Sequence, residues 1–169
     1  MSGPAANPTA PTTAIHRTVE RCRTDEYPAT VARLGSGWVI MGERQLFAGY
    51  CLLLPDPVVG HLNALSGAAR VQFLGDMALT GDAVLAGTGA LRINYAIFGN
   101  LEPALHAHIL PRMAEESAVT RTLQPCALDW NAAPPYSDAS HGEVKARIAA
   151  YLAGHNPARS SGGHGHARR

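Results

Sequence analysis

Apolar and polar positions alternate along this chain in short blocks with two different periods. Val19 and Cys22 stand three apart in residues 16–23, which read as a short helical turn. Residues 34–41 carry Trp38, Val39, Ile40 and Met41 as a strand, and residues 47–54 form a second apolar run. Gly42-Glu43-Arg44-Gln45 supplies turn residues between them, so the two predict an antiparallel hairpin, stopped by Pro55-Asp56-Pro57. The period then lengthens. Between Ser66 and Ala86, Val71, Leu74, Ala78 and Leu85 recur at helical spacing, with Ser66 as the cap and Gly87-Thr88-Gly89 as the stop. Residues 91–97 and 104–110 read as strands separated by loop 98–103, and residues 111–138 show no regular pattern. Ser140-x-x-Glu143 is a capping box for a last helix, striped by Val144, Ile148 and Leu152 and ended by Gly154. The order strand, strand, helix, strand, strand, helix predicts an α+β domain: an antiparallel sheet with helices packed on one side.

Composition narrows the function. A chain of 169 residues that is 46% hydrophobic makes one domain with a sizeable core. The 14 basic and 13 acidic side chains leave a formal charge of +1. A nucleic-acid binder shows a clustered basic excess, and this sequence has none, so nucleic acid is not the expected partner. The longest apolar runs, at 38–41 and 50–54, are strand-sized and too short to span a membrane. Cys22, Cys51 and Cys126 are too few and too scattered for a disulfide framework, which fits a reduced, cytoplasmic protein. The first eight residues have neither a basic start nor an apolar stretch and do not read as a signal peptide. Residues 1–15 and the Gly/Ser/His/Arg-rich residues 155–169, with His164 and His166, are expected to be disordered, leaving 16–154 as the domain.

The chemistry lies between Asn94 and Arg112. Alternate side chains of a strand share a face, so Leu105, Ala107 and Ile109 would enter the core while Ala104, His106, His108 and Leu110 face the other way. The two histidines then stand side by side, their Cα atoms about 6.5–7 Å apart at roughly 3.3 Å of rise per residue. Such a pair could be a surface hydrogen-bonded pair, two ligands of a metal, or a nucleophile with a helper. The flanking residues weigh against the first two. Gly99-Asn100 and the amides of loop 98–103 can make a concavity for an anion, and Asn94 adds a neutral donor from the neighbouring strand. Further metal ligands would have to be His61 or Glu102, at no diagnostic spacing. There is no Gly-x-x-x-x-Gly-Lys phosphate loop and no Gly-x-Ser-x-Gly elbow.

Asn94, Gly99-Asn100 and Leu105-His106-Ala107-His108-Ile109-Leu110-Pro111-Arg112 together resemble the signature of the histidine triad (HIT) family of nucleotide hydrolases and transferases. That signature is His-φ-His-φ-His-φ-φ, with φ apolar, often followed by Pro-Arg. The resemblance covers about residues 30–112. It implies that His106 is the nucleophile and that His108 contacts the phosphate and assists the leaving group. It also implies that Asn94, Gly99 and Asn100 hold the phosphate, with Arg112 able to reach it. The substrate would be a nucleoside derivative cleaved at its α-phosphate, such as a dinucleoside polyphosphate or a nucleoside phosphoramidate. The enzyme would need no cofactor and would be a homodimer.

One departure matters. The first histidine of the triad is Ala104 here. A catalytic imidazole needs a partner that fixes its tautomer, a task a backbone carbonyl could perform. Two alternatives stay open: a protein that binds nucleotides without turnover, and a metal-binding module using His106, His108 and His61. His61 also stands loosely where the family tends to carry a fourth histidine. Trp38 and Trp130 could stack on a base or belong to the core, and Glu102 could be a general base or a solvated loop carboxylate. Asp25-Glu26 and Glu115-Glu116 read as solvated faces. Segment 111–138 would be a specificity element if it lay beside the site.

Overall fold

The computed structural model describes residues 12–155, so most of both expected disordered ends, with His164 and His166, lie outside the described residues. The first helix, α1 (Ala14–Arg23), begins two residues ahead of the expected His16 because Thr13 caps it. The Thr13 hydroxyl accepts the His16 N–H, and the His16 ring Nδ1 accepts the Thr13 N–H in return, a capping box closed by histidine. Then follow β1 (Thr30–Arg33), β2 (Gly37–Met41), β3 (Cys51–Pro55), α2 (Gly67–Thr88), β4 (Arg92–Ala96), β5 (Ala107–Arg112), the short α3 (Ala118–Thr122) and α4 (Asp138–His155). The strands lie in the order β1-β2-β3-β5-β4, every neighbouring pair antiparallel, which is the expected α+β sheet.

The single strand expected over 34–41 is instead the end of a tight β1–β2 turn followed by β2. Leu34 N–H closes the turn on the Gly37 carbonyl at 2.8 Å, and Ser36 donates through both its N–H and its hydroxyl to Asp76 of α2, each at 2.7 Å. That buried carboxylate also explains a second correction. The expected α2 stripe faces outward, with Val71 72% exposed and Leu74 38% exposed. The buried face carries Phe73, Asp76, Thr80, Gly81, Ala83, Val84 and Gly87. Apart from Phe73 and Val84 it is built from small and polar residues, so apolar periodicity points to the wrong side. In α4 the expected stripe of Val144, Ile148 and Leu152 is buried, joined by His141. Ser137 rather than Ser140 opens this helix: its hydroxyl accepts the Ser140 N–H, while His141 Nδ1 accepts the Ser137 N–H.

The two faces of the sheet are covered differently. Val39, Met41, Cys51, Leu53, Ala107 and Ile109 pack against α2 and α4 in the main core. Each such large side chain contributes about 1.5–3 kcal/mol when buried. On the opposite face, Ile15, Val19 and Cys22 of α1 meet Ile40, Leu54 and Ala104. Phe47, Tyr50 and Leu110 form a second cluster there with Leu128 and Trp130. Positions 104 and 110 belong to different clusters, so the two histidines between them occupy the gap. Among the described residues no helix is long and apolar enough to cross a membrane.

Candidate active site

His108 sits on β5, one strand in from the edge of the sheet, opposite Leu52 of β3 and Ala96 of β4. His106 lies one residue ahead of β5 and keeps the alternation: Leu105 and Ala107 are buried in the main core, while the histidines face the other way. Their ring centroids are 4.8 Å apart, with planes at 64°. His106 is 8% exposed, and its Nδ1 lies 2.8 Å from the carbonyl oxygen of Ala104. A carbonyl only accepts, so Nδ1 carries the hydrogen and Nε2 keeps its lone pair. The residue that replaces the first triad histidine thus supplies the orienting contact through its backbone.

His108 is held by a side chain. Its Nδ1 lies 2.6 Å from the Tyr50 hydroxyl. Burial, and next the neighbouring His106, push its pKa down to about 4, so the ring is neutral at pH 7. Burial likewise raises Tyr50 well above the usual phenol range. Beside the ring lies a cavity of about 250 Å³, walled by Tyr50, Phe98, Leu110, Pro125, Cys126 and Trp130, none of them charged. Trp130 is 5.1 Å from the Tyr50 ring and donates its Nε1–H to the Pro125 carbonyl at 2.7 Å. Segment 111–138 therefore does lie beside the histidines, and Pro125, Cys126 and Trp130 are its contribution. Sequence reasoning missed Tyr50, which reads as one more apolar residue in the run 50–54.

No protein-family model matches the sequence. No curated protein matches it either. Solved structures do match. A histidine triad protein of Sinorhizobium meliloti 1021 is similar over 83% of this chain and 98% of its own, with TM-score 0.62 and 20% identity. A histidine triad protein of Marinobacter aquaeolei VT8 matches over 84% and 97%, with TM-score 0.61 and 18% identity. A hypothetical histidine triad nucleotide-binding protein of Sulfolobus tokodaii strain 7 matches over 82% and 92%, with TM-score 0.64 and 11% identity. The chain has the histidine triad fold.

Within that fold the other expected residues fall in different places. Asn94 pairs with Leu110, on the face and one diagonal step from His108, and lines a neighbouring cleft of about 330 Å³ with Arg92, Arg112 and Arg121. Gly99 and Asn100 are exposed in the loop between β4 and β5. Arg112 lines the same cleft as Asn94 and is already engaged. Its Nε and Nη2 donors are taken by the Glu116 carboxylate and the Thr120 carbonyl, and its guanidinium lies 5.3 Å from the Phe47 ring centroid. This pair pins the start of segment 111–138, so Glu116 is no solvated charge either.

Glu102 is a tether and not a general base. It accepts the N–H groups of Ala104 and Ala14, both at 3.1 Å, tying the loop ahead of His106 to the start of α1. Burial works against its charge, but hydrogen bonds from Thr13 and from the Ala104, Ala14 and Ile15 amides hold the carboxyl below its usual pKa. Trp38 belongs to the packing around α1 and donates to Asp56 at 3.0 Å. His61 is exposed at the start of the turn Leu62–Ala64. Among the described residues no three His, Cys, Asp or Glu side chains are grouped to hold a metal ion.

Proposed function

We propose that the protein is a nucleotide-binding hydrolase or transferase of the histidine triad type, acting at the α-phosphate of a dinucleoside polyphosphate or nucleoside phosphoramidate. The observation that carries this reading is the His106–Ala104 hydrogen bond, which leaves a neutral-side lone pair on Nε2 beside His108. Nε2 attacks the α-phosphorus, the bond to the leaving group breaks with its electron pair, and a nucleotidyl-histidine forms. Water or another acceptor then displaces the nucleotide and restores His106. His108, Asn94, Asn100 and the amides around Gly99 hold the oxygens on which charge builds; each such donor is worth roughly 10²–10³-fold in rate. No cofactor is required, because the imidazole supplies the nucleophile.

The backbone origin of the His106 contact favours turnover over binding alone, since Ala104 withholds only a side chain that packs against α1. The working form is a homodimer in the cytoplasm, with all three cysteines unpaired. β4 is an edge strand bearing Tyr95 at 43% exposure, with Leu91 at 63% just ahead of the strand, an apolar edge suited to a second copy. Sedimentation of wild type and Tyr95→Arg tests this: a dimer that the substitution splits supports it, and a monomeric wild type contradicts it. For the activity, AMP release from diadenosine tetraphosphate and adenosine phosphoramidate is compared between wild type and His106→Ala. Release abolished by the substitution is expected. Release that survives it overturns the assignment, and nucleotide binding without release moves the protein to the non-catalytic reading.

A further inference from the structure

The contact between Tyr50 and His108 is built with more care than a packing contact needs. The loop between β2 and β3 is closed from within by Gln45, 3% exposed, whose Nε2 donates to the carbonyls of Gly42 and Tyr50 and whose Oε1 accepts the Gly49 N–H. Gly49 has φ +91°, a conformation side chains resist. A Cβ on Gly42 would meet the Tyr50 ring at 2.2 Å, so glycine there makes room for the ring. Every one of these features fixes where the Tyr50 hydroxyl goes.

Among the described residues, neither the Tyr50 hydroxyl nor the His108 ring has a hydrogen-bond partner except the other. If Nδ1 carried the hydrogen, it would have to donate to a phenol oxygen, a weaker acceptor than an imidazole nitrogen, and the phenol proton would have no side-chain or backbone acceptor among the described residues. If the phenol donates to Nδ1, both groups are satisfied and the ring hydrogen sits on Nε2. We propose that Tyr50 is a positioning residue that locks His108 in the Nε2–H tautomer, opposite to the Nδ1–H tautomer of His106. The pair then presents one lone pair and one donor on adjacent rings. Resting on the function proposed above, the transfer step runs as follows: His106 Nε2 forms the bond to phosphorus, the departing atom leaves with its electron pair, and His108 Nε2–H donates a hydrogen bond to it. His108 keeps its proton; the leaving group takes its own from water.

The test is two-bond ¹H–¹⁵N correlation of the imidazoles in the full chain labelled with ¹⁵N-histidine, at pH 7.5, with His106→Asn and His108→Asn for assignment. Wild type should show His106 as Nδ1–H and His108 as Nε2–H. Tyr50→Phe, which removes only the oxygen, should turn His108 into a mixture of tautomers while His106 is unchanged, and should lower kcat roughly tenfold with KM within about twofold. His108 found as Nδ1–H in wild type, or unaltered in Tyr50→Phe, overturns the proposal. If wild type turns over no nucleotide, the function proposed above fails, and the tautomers alone decide this one.

Discussion

His106 and His108 share a face and stand with their rings 4.8 Å apart, yet they are held by different kinds of group. His106 hangs on the backbone carbonyl two residues earlier, a contact that any side chain at position 104 would leave in place. His108 depends on one hydroxyl delivered by a distant loop, a contact that one substitution erases. A backbone partner makes orientation tolerant of sequence change, and a side-chain partner makes it a property of this particular chain. On the function proposed above, alanine at position 104 is therefore a smaller loss than the motif suggests.

The sharpest break of this comparison is His106→Ala, which should lower AMP release by at least about 10³-fold without changing the fold, measured by turnover and circular dichroism. Next is His108→Gln, expected to cost roughly 10²-fold in kcat. The depressed pKa of His108 adds a stability signature. The native ring stays neutral down to about 4 while the unfolded ring takes up a proton below about 6.5, so stability falls as pH drops across that window. The slope is at most about 1.4 kcal/mol per pH unit, and denaturant melts should show it weakened in His108→Gln. Glu102→Gln should destabilise by about 1 kcal/mol through the loosened α1 tether, seen as a lower melting temperature. Smallest of all, Ala104→Ser should leave turnover within about threefold, because it keeps the carbonyl; a large loss there would mean that the side chain at 104 matters to orientation after all.

The fold was legible where apolar period and burial agree. The α4 stripe, the alternation through 104–110 and the order of β2 to β5 around α2 are read directly from the sequence, because large side chains there mark the buried face, whereas β1 and α3 were not foreseen. The apolar stripe expected in α2 failed: Asp76, Thr80 and two glycines are buried and Val71 is exposed, since a tertiary hydrogen bond to Ser36 outweighs hydrophobicity. The histidine pair was legible because His-x-His on a strand has a geometric consequence. Tyr50, Trp130 and the Arg112–Glu116 pair were not, because each acts through a contact made far along the chain or in a segment without periodicity.

The central claim is that His106 forms a covalent bond to the nucleotide, and rapid quenching of wild type with diadenosine tetraphosphate followed by peptide mass mapping tests it most directly. The account predicts one adenylyl group on the peptide containing His106, absent in His106→Ala. Turnover with no adduct on that peptide, together with inversion at a chiral α-phosphorus, would mean a single direct displacement and would contradict it.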